Sequence, residues 1–230
     1  MRHKKEFFKI SIILFFLFAI TSSTYSQEDF IEGRPEANIN YIDSEPVIDG
    51  EVINDRVWNS IFPITSMTQI TPNFGEPSSE KTEIRLAYTN KTFYISVIGF
   101  DNEPSKIVVS DSRRDADLND EDSFLFILDT YNDLQNGFLF GTNADGMQYD
   151  AQIDNEGVGS FNQNARQKGG TLGGTNVNWD ASWEVKTSRG DFGWSAEFAI
   201  PLKSLRFLPG ENKTWGLNFQ RNISKNSEIS

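Results

Sequence analysis

The stretch Ile84–Phe100 reads I-R-L-A-Y-T-N-K-T-F-Y-I-S-V-I-G-F, and it decides the fold class. Its first part, Ile84–Thr89, has the alternation of a half-buried strand, and Thr92–Phe100 is rich in β-branched and aromatic residues. The pair Asn90 and Lys91 between them is a turn signal. The stretch therefore predicts a β-hairpin, which is the starting unit of an antiparallel sheet.

Further strand-like runs follow along the chain, separated by turn signals. The run Ser123–Thr130 is continuously apolar, which predicts a central strand buried on both faces. The remaining runs are Gly137–Thr142, Met147–Ile153, Ala181–Thr187, Trp194–Ile200 and Trp215–Asn222. Helical periodicity is limited to single turns at Asn54–Ser60 and Leu202–Leu205. Many short strands and almost no helix predict an all-β protein with a two-sheet antiparallel β-sandwich, of the jelly-roll or immunoglobulin-like kind.

The composition excludes several kinds of chemistry. The chain has 230 residues, with 21 Lys+Arg, 33 Asp+Glu, a single histidine (His3) and no cysteine. Disulfides, thiolate zinc sites and iron–sulfur clusters are therefore excluded, as is haem held by cysteine. With a formal net charge of −12, the chain repels nucleic acid, because phosphate binding needs clustered Lys and Arg. Carboxylate chemistry, oxygen ligation of calcium, and recognition by aromatic or amide groups remain.

The first 26 residues have the pattern of a secretory signal peptide. A basic beginning is followed by the apolar run Ile10–Ile20 and by a small-x-small sequence before Gln27. The alternative, a transmembrane anchor, needs about 20 apolar residues, and this run is much shorter. We therefore expect an exported chain with a signal peptide at 1–26, a flexible lead at 27–40 and one domain at 41–230. His3 would leave with the leader, so a Ser–His–Asp or Cys–His catalytic machine, and haem held by histidine, are also excluded from the mature chain.

Two features of the domain are unusual for a compact sandwich. The connection Asn155–Asn178 is long and contains the glycine-rich sequence Gly169–Gly174. A loop of this length is usually either functional or disordered. The stretch Trp215–Ser230 runs from a strand into polar residues without a closing motif, which predicts that the chain is the N-terminal part of a longer protein.

Five motifs in order resemble the family 9 carbohydrate-binding modules and their DOMON-like relatives. They cover the chain from about Ile42 to the end. The motifs are Val47–Glu51 with Trp58, LAYTNKTFYISVIGFD (Leu86–Asp101), EDSF running to Asp129 (Glu121–Asp129), WSAEFAIP (Trp194–Pro201) and WGLNFQ (Trp215–Gln220). With SLRF at Ser204–Phe207, the chain resembles the N-terminal domain of large Gram-negative envelope proteins, in which an outer-membrane β-barrel follows.

The resemblance implies a sandwich that binds polysaccharides or oligosaccharides, often with structural calcium, and that works beside glycoside hydrolases such as xylanases. Two departures concern the sugar clamp of such modules, which is built from two tryptophans. The position of the first tryptophan is Asn119 here, and the second position lies beyond Ser230. An arginine of the family is replaced by Gly141, whereas Asn143 matches.

The candidate carbohydrate-binding residues come from three places. Trp179 stands among amides and a carboxylate at the end of the glycine-rich connection, which suits stacking on a sugar face; the alternative is a core tryptophan. Tyr131 just after the central strand is a candidate of the same kind. The others are Asn143, Arg113 and Asn119; Asn119 lies in the acidic stretch described next, and Arg113 lies just before it.

The stretch 115–122 carries five carboxylates, which repel one another unless a cation offsets them. Calcium prefers carboxylate and carbonyl oxygens on a loop. The sequence therefore predicts a structural calcium site, with Asp101 and Asp145 supplied from neighbouring turns; the alternative is a solvated acidic loop. The predicted ligands are Asp101, Asp120, Glu121, Asp122 and Asp145, and no haem, zinc or nucleotide is expected.

The remaining tryptophans, Trp58, Trp183, Trp194 and Trp215, are interpreted as core residues. Glu197 is expected to be exposed or paired with an arginine such as Arg206. A glycosidase would need two carboxylates flanking one bond, and no motif supports such a pair, so catalysis by this chain is not predicted. The main hypothesis is a secreted carbohydrate-binding domain. The alternative is an envelope interaction domain without a sugar site, packed on a barrel or on a partner protein.

Overall fold

The computed structural model describes residues 35–154, 174–210 and 213–230. The predicted leader 1–26, most of the predicted lead and stretch 155–173 of the long connection lie outside the described residues. The chain divides into two compact units, 1–38 and Ile39–Ser230, and the second contains every described strand. In the described ranges, no helix has the length and hydropathy needed to cross a membrane.

Eleven strands in the described residues form two sheets. They are β1 (Asn40–Tyr41), β2 (Thr82–Tyr88), β3 (Thr92–Phe100), β4 (Ser123–Asp129), β5 (Gly137–Asn143), β6 (Tyr149–Ile153), β7 (Thr175–Asn176), β8 (Glu184–Gly190), β9 (Gly193–Pro201), β10 (Gly216–Ile223) and β11 (Glu228–Ile229). The first sheet has the order β1-β2-β3-β9-β8, and the second has the order β11-β10-β4-β5-β6-β7. All pairings are antiparallel except that of β1 with β2. The predicted two-sheet sandwich is confirmed.

The strand predictions hold in their main features. The hairpin of Ile84–Phe100 is β2 and β3, and the central strand is β4, paired with β10 and β5. The prediction that β4 is buried on both faces is only partly correct. Phe124, Phe126 and Leu128 are fully buried, whereas Leu125 and Ile127 on the other face are half-buried.

Aromatic side chains fill the space between the two sheets. The rings of Phe126 and Phe198 meet edge-on at 5.1 Å between centroids, and Trp183 stacks on Phe198 at 5.8 Å. Each such ring buries roughly 150–250 Å² and dominates the stability of the core. Trp183 and Trp194 belong to this core, as predicted, and Trp215 packs against it while remaining half-buried.

The segment before β2 covers the outer face of the first sheet. Its short helix α1 (Arg56–Asn59) begins after Asp55, whose carboxylate accepts hydrogen bonds from the backbone N–H groups of Val57 and Trp58. The helix buries Trp58 against Tyr94 and Ile98 of β3. Trp58 is fully buried, as predicted for a core residue.

The prediction for Glu197 was wrong. Its side chain is fully buried, and its carboxylate accepts hydrogen bonds from Trp58 Nε1 at 2.6 Å and from the backbone N–H of Gly50 at 2.7 Å. Burial raises the pKa of this carboxyl. Gly50 has φ of 91°, and a Cβ there would lie 2.4 Å from the backbone of Thr187, so only glycine brings its N–H to Glu197. The hydrogen-bond partners of Glu197 therefore lie in the segment before β2, and Arg206 is not one of them.

Candidate binding surfaces at the two ends of the sandwich

The sandwich has two ends, at which the strands of both sheets begin or finish. Contacts between the sheets show which end of the first sheet lies beside which end of the second. At the start of β4, Arg221 Nη2 of the second sheet donates to the carbonyl of Phe100 in the first sheet at 2.7 Å. At the finish of β4, the ring of Trp215 meets Phe93 at 5.9 Å. We call the first end the acidic end; it consists of Asp101, the loop 107–122, the turn 143–146 and residues 225–230. We call the second the tyrosine end; it consists of Tyr41, Tyr88, Tyr131 and the segments 202–210 and 213–215.

At the acidic end, Asn143 and Glu121 bind each other. Both side chains are fully buried, and Asn143 Nδ2 donates to Glu121 Oε1 at 3.1 Å and to the carbonyl of Asp111 at 2.8 Å. Asn143 Oδ1 accepts from the backbone N–H groups of Asp145 and Met147. The amide of Asn143, which matches the family pattern, therefore holds the acidic loop and the 143–146 turn together.

Cations of the protein itself stand beside the buried carboxylates of this end. Lys225 Nζ donates to Asp101 Oδ1 at 2.7 Å and to Glu80 Oε1 at 2.5 Å. Burial acts to lower the pKa of Lys225, but these hydrogen bonds outweigh it and raise the pKa. Burial raises the pKa of Asp122, and the charge of Arg221 opposes that shift.

The other predicted ligands and sugar contacts of the acidic end lie apart. Asp120 and Asn119 are exposed, and Asp145 forms an ion pair with Arg189 at 2.7 Å. Arg113 is exposed and hydrogen bonds to Asp111, which lowers the pKa of that carboxyl to about 2. Across residues 35–154, 174–210 and 213–230, no group of three His, Cys, Asp or Glu side chains forms an arrangement that could hold a metal ion. The structure thus does not bring the five predicted calcium ligands together, and calcium stays a prediction.

Trp179 lies against the core rather than at either end. Its ring packs on Phe138 at 4.9 Å and on Phe140 at 5.9 Å, and the residue is half-buried. Next to it, Asp180 and the buried Asp150 share the guanidinium of Arg114. These contacts favour the alternative of a core tryptophan, although the side chain is not fully enclosed.

The tyrosine end carries exposed rings beside a shallow groove of about 220 Å³. Tyr131 lines this groove and is 37% exposed. The facing residues come from 208–209 and 213–215, and the sequence did not identify them as a site, because they enter the groove only when β10 pairs with β4. They include Leu208, Lys213 and Trp215. One feature of the sequence could have indicated that Trp215 lines a groove: it stands directly before Gly216, the first residue of β10, and so at an end of the sheet.

Comparisons with known proteins agree with this architecture. The model of the carbohydrate family 9 binding domain-like family matches residues 48–229. The structure is similar to a family 9 carbohydrate-binding module from Caldicellulosiruptor kristjanssonii solved with glucose, with a TM-score of 0.54 and 17% identity over 81% of this chain and 77% of that one. A second structure of such a module from the same organism, solved with cellotriose, gives a TM-score of 0.53 and 16% identity over 84% and 81% of the two chains.

At these identities the structural likeness establishes the fold alone. No curated protein matches the chain. The family model, however, spans most of the chain, from the segment that covers the first sheet to β11. The chain therefore belongs to the carbohydrate family 9 binding domain-like family.

Proposed function

We propose that this chain is a carbohydrate-binding domain that recognises a polysaccharide or an oligosaccharide. Family membership over residues 48–229 supports this function, and so does the similarity in fold to modules solved with glucose and cellotriose. The proposal concerns recognition: the chain holds a sugar by ring contacts and by hydrogen bonds to hydroxyl groups.

The observation that carries the proposal is the distribution of tyrosines. Among the described residues, the three tyrosines at the tyrosine end are exposed, namely Tyr41 (50%), Tyr88 (38%) and Tyr131 (37%), whereas Tyr94 and Tyr149 are buried. A tyrosine ring offers an apolar face together with a hydroxyl group, so it favours partners that are apolar on one side and polar on the other. A sugar ring, with C–H groups on its faces and hydroxyls at its rim, is such a partner.

The same proposal places the chain outside the cytoplasm and near the breakdown of polysaccharides. Export depends on the predicted leader 1–26, and the association with a glycoside hydrolase or with a β-barrel depends on the resemblance. A domain of this kind keeps a partner enzyme or transporter close to its substrate.

A glycan array and calorimetry with glucose and cellotriose test the proposal on the full chain. We expect at least one saccharide to bind. The expected dissociation constant is millimolar or lower, and it need not be much lower, because a groove of this size offers few contacts. Absence of binding to every glycan by a folded sample would overturn the function. Circular dichroism of the same sample establishes whether it is folded.

A second function is favoured by an observation outside the tyrosine end. Phe62 is 96% exposed and Phe74 is 87% exposed, and aromatic side chains are enriched at protein–protein interfaces. The alternative is therefore a domain that docks on a partner protein through these residues. Under this alternative, the double variant Phe62→Ser and Phe74→Ser would lose the partner, and no glycan would bind the wild type.

A further inference from the structure

We infer that the groove at the tyrosine end is a saccharide subsite that holds one sugar ring against Tyr131 and Trp215. This inference rests on the proposed function and adds the location of a site. It differs from the clamp that the resemblance implies, because the Asn119 position of that clamp lies at the acidic end. Along β4, the two ends are separated by roughly 20 Å, at about 3.3 Å per residue.

Two separate parts of the chain form the groove. Thr130 and Tyr131 come from the turn after β4, and Leu208 and Pro209 come from the segment before β10. Trp215 stands directly before β10, whose first residue Gly216 pairs with Asp129. The volume of about 220 Å³ is below the range of roughly 300–1,000 Å³ that suits drug-sized ligands, so we expect a single ring rather than an enclosed chain.

The turn that presents Tyr131 is held in one conformation by the buried carboxylate of Asp129. Asp129 accepts hydrogen bonds from the backbone N–H groups of Tyr131 at 3.2 Å and of Leu134 at 2.7 Å. Asn132 and Leu134 have φ of 54° and 59°, which lie in the left-handed region of the backbone that residues other than glycine rarely adopt. Such strain persists where the surroundings fix the backbone, and it often marks functional loops. The ring of Tyr131 is therefore preorganised for a ligand.

Trp215 forms the aromatic side of the groove. Its ring is held by Phe93 at 5.9 Å and by Phe207 at 5.6 Å, yet the residue remains half-buried and not fully enclosed. The indole is held by these two rings on one side and lines the groove on the other. It therefore offers a rigid surface for stacking, since little conformational entropy is lost on binding.

Polar groups stand beside the two rings. Lys213 Nζ lies over the Phe207 ring at 5.2 Å and donates to the carbonyl of Gly210 at 2.5 Å, which keeps the ammonium near the groove. Thr214 also lines the groove and brings a hydroxyl group, whereas the buried Thr130 donates its hydroxyl to the carbonyl of Arg206. Donors and acceptors around an apolar floor are the combination that orients a sugar ring through its hydroxyl groups.

The test compares two exposed aromatic rings, one in the groove and one outside it. Tyr131→Ala removes the ring in the groove, whereas Phe74→Ala removes an exposed ring that does not line the groove. The probes are cellotriose and the array glycan that binds most strongly, measured by calorimetry on the full chain. We expect Tyr131→Ala to weaken binding about tenfold and Phe74→Ala to leave it unchanged, because truncating a central aromatic contact is costly.

Further outcomes separate the site from the function. Tyr131→Phe should retain most of the affinity if the ring face makes the contact. Hydroxyl-radical footprinting should show Tyr131, Leu208 and Trp215 protected when the glycan is saturating. If wild type binds and Tyr131→Ala binds equally well, the groove is not the site, although the proposed function stands. If wild type binds no glycan, both fail.

Discussion

The two ends of the sandwich use their polar groups in opposite ways. At the acidic end, Glu121, Asn143 and Arg221 are fully buried and bind other groups of the protein. At the tyrosine end, Asp129 turns its carboxylate toward the backbone of its own turn, and the ring of Tyr131 remains exposed. The comparison teaches that a stretch rich in charged residues is not by itself a binding surface. Here the buried part of the acidic end holds its loops together, while the end with fewer charges leaves its tyrosine rings exposed.

The largest expected effect comes from removing the buried cation of the acidic end. Arg221 donates to Lys81 O, Thr82 Oγ1 and Phe100 O, and burial lowers the pKa of its guanidinium. Arg221→Met should lower the free energy of unfolding by about 3–5 kcal/mol, because two carbonyls and a hydroxyl lose their donor and the buried Asp101 and Asp122 lose a neighbouring positive charge. Urea unfolding followed by tryptophan fluorescence measures this change.

The matched control for that variant is Arg113→Ala at the same end. Arg113 is exposed and bonded to Asp111, and exposed ion pairs contribute little to stability. No measurable change is expected. If both variants lost the same stability, the description of the acidic end as an internally bonded structure would be wrong.

An intermediate effect is expected from the carboxylate that holds the turn of the tyrosine end. Asp129→Ala frees three backbone N–H groups, those of Tyr131, Asp133 and Leu134. It should cost about 1–3 kcal/mol of stability, because three backbone donors lose hydrogen bonds to a charged carboxylate. It should also weaken glycan binding, since Tyr131 loses its fixed position. Thermal melting and calorimetry measure the two effects, with exposed Asp43→Ala as the control; unchanged affinity would show that the turn need not be preorganised.

A smaller effect concerns the pH dependence of the acidic end. Burial raises the pKa of Asp122 above its ordinary value of 3.8, so the folded state binds this proton more tightly than the unfolded chain does. The stabilising contribution is complete below the unfolded pKa and is lost as the pH rises through the folded pKa. Relative to wild type, Asp122→Asn should therefore gain stability as the pH rises above the ordinary carboxyl pKa of 3.8. Urea unfolding at several pH values tests this, and a difference independent of pH would contradict it.

The smallest expected effect is that of calcium on the acidic end. Lys225 and Arg221 already stand beside Asp101 and Asp122, so a further cation has less charge to neutralise. If calcium binds as the sequence predicts, millimolar calcium should raise the melting temperature by about 2–4 °C. An EDTA-treated sample with an unchanged melting temperature would leave the stretch 115–122 as a charged loop.

The sequence predicted the fold well because strands and turns are local patterns. The hairpin of Ile84–Phe100 and the central strand at Ser123 follow from alternation and from continuous apolar runs. The prediction for Glu197 failed because its partner, Trp58, lies 139 positions earlier in the chain. No local pattern reports such a contact.

The sites were less predictable for the same reason. Tyr131 was identified as a candidate, and the structure places it in the groove, where its role in sugar binding stays a prediction. Trp215 was assigned to the core, and its second role as one side of the groove depends on β10 lying beside β4. Asn143 was assigned to sugar binding from a family match, although its amide is used within the protein.

Strand β10 has a consequence for how the two ends depend on each other. It carries Arg221 near one end and follows Trp215 at the other, six residues and roughly 20 Å away. A strand that slips by one residue turns every side chain to the opposite face. Arg221 fits only where it meets Lys81, Thr82 and Phe100 in the other sheet. Arg221 therefore fixes the register of β10, and a residue at the acidic end determines which side chain reaches the groove at the other end.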